Sequence, residues 1–533
     1  MSNQGNGINS ALYSIVRRAE KSDNETLRNT FADSGVTIPL KSIDNQVIYG
    51  RRGTGKTHAL RYLESVITSS SDIPVYIDLR TIGSPGTIIG YSGESITQKA
   101  QNLLIDLLHM LHDSLLKIVI DDPNLIEDNY FIDKLDNLVT SITTVSVHGV
   151  IEQRTITETQ DTYGGDLKLH TSLSSAGLKL GSDYSNSHKT LDEVKRSGTE
   201  SVRLNFSDIA SALRSISSAS SRRIWILLDE WSSIPLNIQP IVSEFIVRCL
   251  CPIPNFTVKI GAIEQESNFR TEINGQNIGI ELGADFSADL NLDEFLIYEG
   301  HESQSTEFFR QLFFKHLKSV DESRFTFLTE LKSEKDLVRL AFTEKRSFEE
   351  LVRAAEGIPR DAINIAAKAA INARNEKISV DNIRSAARQW FQTDKATAIS
   401  NKTNALNLLN WSIDKVIREK KSRAFLLPQE NSSNELILFL YNSRVLHLIR
   451  RGYSAKDRPG ERYDVWAIDY GAYIDLMKTK TAPNSLLAFD LTDNADTASE
   501  QSDNIDIPTL DLRSIRRAIL DLGEFEKHFR ICN

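Results

Sequence analysis

Three cysteines in 533 residues, Cys249, Cys251 and Cys532, are too few for a disulfide framework. Cys249 and Cys251 are one residue apart and have no second pair with which to complete a zinc site. Reduced thiols in a cytoplasmic protein are therefore expected. No stretch approaches the ~20 apolar residues that a membrane-spanning helix needs, so a membrane is not an expected partner. The first forty residues carry Asn, Ser and scattered charges but no apolar core, and no secretory signal is expected. A general excess of positive charge is missing too. The net charge of −10 excludes a surface that is basic all over.

What remains is an ordinary globular composition, 40% hydrophobic and 25% charged, long enough for roughly three or four domains. Residues 1–40 read as a polar helical lead-in. Gln46-Val47-Ile48-Tyr49 is a short apolar run ending in a glycine-rich loop, and Thr57 to Ile67 continues at helical spacing. Ile73 to Leu79 is a second strand-like run, and Ser95 to Leu116 is helical again. Strand, loop, helix, strand predicts an α/β core with a mostly parallel sheet over residues 41–300. Residues 141–205 interrupt it with Ser, Thr, Gly and polar–apolar alternation. There Gly164-Gly165, between two alternating runs, suggests a β-hairpin, either without a role or touching a neighbouring subunit or partner. Arg223 onward restores the core with Ile224-Trp225-Ile226-Leu227-Leu228, the continuous apolar run of a strand buried on both faces. Further strands are expected at Thr257–Ile263 and near Asp285–Leu292. Residues 301–400 are almost wholly helical in pattern. Residues 401–480 follow as a separate module, and 481–533 as an acidic linker closed by an amphipathic helix from Leu510 to His528.

The glycine-rich loop is Gly50-Arg51-Arg52-Gly53-Thr54-Gly55-Lys56-Thr57, which has Walker A spacing and lies between a strand and a helix. Its glycines let successive backbone N–H groups turn inward on phosphate oxygens, and the helix N-terminus adds its dipole. Gly50, Arg51, Arg52, Gly53, Thr54, Gly55, Lys56, Thr57 and His58 are therefore expected to line ATP. Lys56 would reach the β- and γ-phosphates, and the Thr57 hydroxyl would bind Mg²⁺. Asp229-Glu230 ends the apolar strand that restores the core. Asp229 is the expected second metal-binding group and Glu230 the expected general base for the attacking water.

With both motifs placed, the chain resembles AAA+ ATPases, and most of all the initiator branch typified by origin recognition complex subunits. The resemblance covers roughly residues 40–480 and extends to bacterial ATPases of initiator type, some associated with phage defence. Gly357-Ile358-Pro359-Arg360 is similar to the segments that carry the sensor-2 arginine in AAA+ lids, which makes Arg360 a γ-phosphate sensor by resemblance. Ile378-Ser379-Val380-Asp381-Asn382 precedes another helix, as in initiator lids. The resemblance also implies homo-oligomers with an arginine finger after the sensor-1 strand, where Arg270 lies. The sensor-1 position itself departs from the family. It falls on Glu264 or Gln265 instead of a neutral Asn or Thr, so either the register differs or hydrolysis is slow and the site acts as a binding switch.

Residues 401–480 carry 14 Lys+Arg against 9 Asp+Glu, a basic island in an acidic chain. A helix from Glu435 to Arg451, then a hairpin with a Pro459-Gly460 tip, reads as a winged helix. Arg444, Arg450, Arg451, Lys456, Arg458 and Arg462 would line its DNA-facing surface, which gives affinity through phosphates without base specificity. The alternative is a signalling ATPase or scaffold whose winged helix contacts only protein. No nuclease, deaminase, protease or helicase signature accompanies the ATPase motifs, so a destructive effector would be a separately encoded protein.

Overall fold

The computed structural model describes residues 4–70, 72–83, 95–121, 130–142, 145–157, 190–202, 204–295, 302–320, 330–454, 460–476 and 518–529. Its strands, in chain order, are β1 Gln46–Tyr49, β2 Ile73–Asp78, β3 Val145–Thr157, β4 Thr190–Val202, β5 Ile224–Asp229, β6 Phe256–Ala262, β7 Arg270–Ile273, β8 Gln276–Gly279, β9 Ser287–Asn291, β10 Ala424–Pro428, β11 Leu446–Ser454 and β12 Arg462–Ile468.

The α/β core is a five-stranded sheet in the order β2-β5-β6-β1-β9, parallel at every pairing. The near-continuous apolar runs of β1, β5 and β6 are buried along their whole length, as a sheet covered on both faces requires. Side chains alternate between the faces. Val47, Ile226, Leu228, Val258 and Ile260 pack beneath helices Ile96–Asp121, Phe131–Ile142 and Phe206–Ser220. Ile48, Trp225 and Leu227 face the helix Lys56–Ser69 through Leu60, Leu63 and Ile67.

Helices fill the described residues between Glu302 and Ile399. Ser379 starts one of them with a capping box: its hydroxyl accepts from Asn382 N, and its own N–H donates to Asn382 Oδ1. The N-terminal helix Gln4–Ser14 joins this block, with Asn9 Nδ2 donating to the carbonyls of Arg374 and Glu376 at 2.9 Å. Beyond it come helices and an antiparallel sheet in the order β10-β12-β11. One cluster of buried side chains, including Phe309, Leu351, Ala366, Leu408, Leu440 and Trp466, runs unbroken from the helical block into this C-terminal module.

Two sequence expectations shift. The helix expected over Glu435–Arg451 ends at Asn442. Arg444 then takes a left-handed turn, φ 59°, and Leu446 onward pairs with β12. Cross-strand burial of Leu446 outweighs the helical spacing of the sequence, which cannot reveal a partner strand sixteen residues away. The C-terminal helix is Leu522–Phe529, because Ala518–Leu520 are extended against β10: Leu426 N donates to Ala518 O at 2.8 Å and Leu520 N to Leu426 O at 3.0 Å. In the insertion, β3 pairs antiparallel with β4 from Val145↔Val202 to Thr157↔Thr190. Gly164-Gly165 and the alternating run after it lie outside the described residues.

Lys395 is 1% exposed and holds two buried carboxylates, Asp361 at 2.9 Å and Asp469. Burial alone would raise the pKa of Asp361, but Lys395 and Arg444 outweigh it and hold the carboxyl below its ordinary range. We predict that Lys395→Met, which leaves both carboxylates facing each other, lowers stability by about 3–5 kcal/mol at neutral pH, measured by urea denaturation of the full chain.

Candidate nucleotide site

The loop after β1 needs backbone that only glycine adopts freely. Gly53 and Gly55 have φ of 94° and 102°. A Cβ on Gly53 would stand 2.9 Å from Arg360 Cβ. The helical block is seated against the loop at that point, Arg360 N donating to Gly53 O at 3.2 Å. The helix Lys56–Ser69 starts directly behind Gly55 and aims its free N–H groups at the loop's concave side.

A cavity of about 400 Å³ lies in front of this loop, within the usual range for small-molecule sites. Gly53, Gly55, Lys56, Thr57, His58, Glu230 and Arg360 line it together, from segments far apart in the sequence. Lys56 Nζ donates to the carbonyls of Gly50 at 2.7 Å and Arg51 at 3.2 Å. Burial depresses the lysine's pKa, and Glu230 and Asp229 oppose that shift.

Asp229 is fully buried at the end of β5, one strand from β2 and two from β1. Tyr76 of β2 donates its hydroxyl to Asp229 Oδ2 at 2.8 Å, and Glu230 N donates to Oδ1 at 2.8 Å. A Cβ on Gly261 would come within 2.9 Å of Oδ1, so β6 also fixes this carboxylate. Glu230 sits in left-handed backbone, φ 57°, which turns its side chain out of the strand direction and into the cavity. Its pKa is raised, first by burial and then by Asp229 beside it.

Arg80, which sequence reasoning missed, stands 3.9 Å from Glu230 Oε1. It pairs with Asp78 at 2.6 Å and with Glu20 at 3.0 Å, and so ties the lead-in, β2 and the end of β5 together at the cavity rim. Arg17 and Arg18 of the lead-in also line the cavity. No spacing signal marks Arg80, because its place follows from the neighbouring of β2 and β5. Behind the loop is a smaller apolar pocket lined by Phe31, Val36, Gly55, Ala59, Phe308, Leu312 and Pro359.

Arg52 also lines the cavity, and several of the expected residues are engaged with partners of their own. The Arg51 side chain turns away from the cavity, 6% exposed, and pairs with Asp293 at 2.9 Å. This corrects its expected place along the nucleotide: a guanidinium that finds a carboxylate and a carbonyl in the interior is held there. The Arg52 side chain is 64% exposed and reaches Glu266 at 3.4 Å. His58 turns its Nε2 to Leu27 O at 2.7 Å. Arg270, on the β7–β8 hairpin, does not line the cavity and pairs with Glu281 of its own chain at 3.2 Å.

Glu264, two residues past β6, pairs with Arg451 of β11 at 2.6 Å. Arg444 is 11% exposed and bonds Asp361 and Asp394, so its expected place on a DNA-facing surface is corrected: two carboxylates hold it inside. Arg450, Arg451 and Arg462 are exposed on the β11–β12 hairpin, and Lys456 and Arg458 lie outside the described residues.

No family model matches the chain, and no curated protein matches it. Among solved structures it is similar to Cdc6p from Pyrobaculum aerophilum, at 11% identity over 90% of this chain and 98% of that one, with a TM-score of 0.30. It is also similar to the Aeropyrum pernix Orc1 protein in complex with DNA, at 13% identity over 90% and 97%, with a TM-score of 0.27. Superpositions this loose carry nothing about activity or partners. Among the described residues, no helix is long and apolar enough to cross a membrane.

Burial pushes the His447 pKa down to about 4. The unfolded chain takes up a proton near pH 6.5 that the folded chain refuses. This contribution to stability is complete above about pH 6.5 and is lost as pH falls toward 4. The melting temperature is therefore predicted to drop over that interval, read by calorimetry across a pH series.

Proposed function

We propose that the chain is an AAA+ ATPase that binds ATP with Mg²⁺ in the cavity before the Gly50–Thr57 loop and hydrolyses it. One observation carries this: Lys56, Thr57, Glu230 and Arg360 line a single cavity, with the buried Asp229 directly behind it.

The residues suit the ligand. The left-handed glycines leave a cradle without side chains, Lys56 and Arg360 supply cations for phosphate oxygens, and the pocket lined by Phe31, Phe308, Leu312 and Pro359 suits a flat base. No group of three or more His, Cys, Asp or Glu among the described residues is placed to hold a metal alone. Mg²⁺ fits that chemistry, since it needs only one or two protein groups together with phosphate oxygens and water: Thr57 would contact it and the buried Asp229 would reach it through water. Bound there, it would neutralise charge on the transferring phosphoryl group.

Asp229 keeps its carboxylate oriented through Tyr76 and Glu230 N. Glu230, carried into the cavity by its backbone turn, takes the proton of the attacking water. Lys56 and then Arg80 favour its ionised form against burial and Asp229. Arg360 reports on the γ-phosphate from the helical block. Arg270 would act on a neighbouring subunit in an oligomer, its pair with Glu281 opening on assembly. The exposed Arg450 and Arg462 would contact DNA phosphates.

A second reading, a signalling ATPase that gates a partner protein without DNA, is favoured by two of the expected DNA-facing arginines being engaged within the chain, Arg444 and Arg451. The process served is read from neighbouring genes: a nuclease or protease effector would indicate phage defence, and replication genes would indicate initiation.

Calorimetry with Mg²⁺ and ATP is expected to show uptake by the wild type and loss of it in Lys56→Ala; no uptake by folded wild type refutes the proposal. Glu230→Gln should keep binding and lose about 10²–10⁴-fold in turnover. Because the Glu230 pKa is raised in the free protein, wild-type kcat/KM should fall on the acid side with an apparent pKa above the ordinary 4.5. For DNA, duplex affinity in the double variant Arg450→Glu, Arg462→Glu should fall and its salt dependence should flatten by roughly two phosphates. Unchanged affinity and slope would favour the second reading.

A further inference from the structure

Arg51 has the position of a phosphate-loop residue and the contacts of an interdomain clamp. Asp293, two residues past β9, grips it twice: Oδ2 accepts from Arg51 N at 2.8 Å and Oδ1 from Nε at 2.9 Å. The guanidinium lies 4.6 Å over the Tyr441 ring. Its Nη1 donates to Leu446 O at 3.2 Å and to His447 Nδ1 at 3.0 Å, both on β11.

The bond to Nδ1 fixes the histidine's proton. Arginine only donates, so Nδ1 accepts and the ring hydrogen sits on Nε2, which donates to Asp469 Oδ2 at 3.2 Å. From Asp469 the chain of contacts continues through Lys395 to Asp361. Asp361 adjoins Arg360, whose N–H returns to Gly53 O. The contacts thus form a closed ring that leaves the phosphate loop at Arg51 and re-enters it at Gly53. Every charged member of it from Arg51 to Asp361 except Asp293 is at least nine-tenths buried, and Asp293 is 11% exposed in its side chain.

The same residue meets the nucleotide side through its carbonyl, which accepts from Lys56 Nζ at 3.2 Å. A triphosphate that draws Lys56 away removes that bond from Arg51 while the guanidinium still holds β11. Glu264 and Arg451 make a second, exposed contact between core and β11, 2.6 Å long. Of these two contacts between hairpin and core, only the first passes through the loop.

We propose that Arg51 is a positioning residue that couples nucleotide occupancy to the seating of the β11–β12 hairpin, so that each biases the other by the same free energy. This rests on the reading of Gly50–Thr57 as a nucleotide loop. It adds that Arg51 contributes little to affinity and much to communication. Whatever binds the exposed hairpin arginines would then sense nucleotide, and would change nucleotide affinity in return.

The test uses the full chain with magnesium and a non-hydrolysable ATP analogue. It combines calorimetry with hydrogen exchange of peptides covering Leu446–Ser454. In the wild type, nucleotide should change exchange there by about fivefold or more, the lower end of ordinary coupling. Arg51→Gln should bind the analogue within about fivefold of wild type and lose the exchange response. Because Arg51→Gln leaves Asp293 unpaired, the double variant Arg51→Gln, Asp293→Asn repeats the test with both charges removed. Loss of binding in the folded double variant, as in Lys56→Ala, would make Arg51 a nucleotide ligand and overturn the proposal. So would an exchange response that survives in it, or a wild type that binds without responding. A wild type that does not bind at all instead refutes the nucleotide reading itself.

Discussion

The loop between β1 and the helix Lys56–Ser69 must reverse direction within a few residues while keeping its amides pointed inward, and this constraint orders the rest of the molecule. Left-handed backbone at Gly53 and Gly55 makes the turn possible. The missing side chain at Gly53 also lets the helical block approach until Arg360 touches the loop. One small residue thus shapes the cradle and seats the structure above it. The sheet order then sets what faces the cradle. β5 ends level with β1 and brings Asp229 and Glu230, and β2 beside it brings Tyr76 and Arg80.

Around this loop the chain buries an unusual set of charges. Asp361, Lys395 and Asp469 are all 1% exposed or less. Such pairs contribute little net stability against apolar residues of the same volume, because the desolvation of each ion offsets most of their attraction. What they supply is definition: each carboxylate accepts only from particular donors, which favours one relative arrangement of the helical block, β11 and the Gly50–Thr57 loop. The single apolar cluster shared by the helical block and the C-terminal module supplies adhesion without that selectivity.

The C-terminal module is consequently less free than a basic island suggests. Arg444 faces inward, Arg451 leans on Glu264, and the edge of β10 is covered by Ala518–Leu520. Covering a sheet edge with the chain's own segment removes unpaired N–H and C=O groups that would otherwise recruit another strand. The described cations left facing outward on the hairpin include Arg450 and Arg462, a narrow basic strip beside acidic neighbours.

Much of the core was legible in the sequence. Gly50–Thr57 with the strand before it, and five apolar residues ending in Asp229-Glu230, state a local geometry that contacts elsewhere do not have to supply. Periodicity likewise marked β1, β2, β5 and the helical block, because their apolar faces are dictated by spacing along one segment. Residues whose roles depend on distant partners were not legible. Arg51 and Arg52 read alike as loop arginines, yet one is buried on Asp293 and the other is exposed. Arg80 carried no signal until β2 lay beside β5, and the helical spacing of 443–451 gave way to pairing with β12. Backbone turns and burial patterns are written in neighbouring residues. The destination of a long charged side chain is decided by which carboxylate folding brings within reach, and only the tertiary structure specifies that.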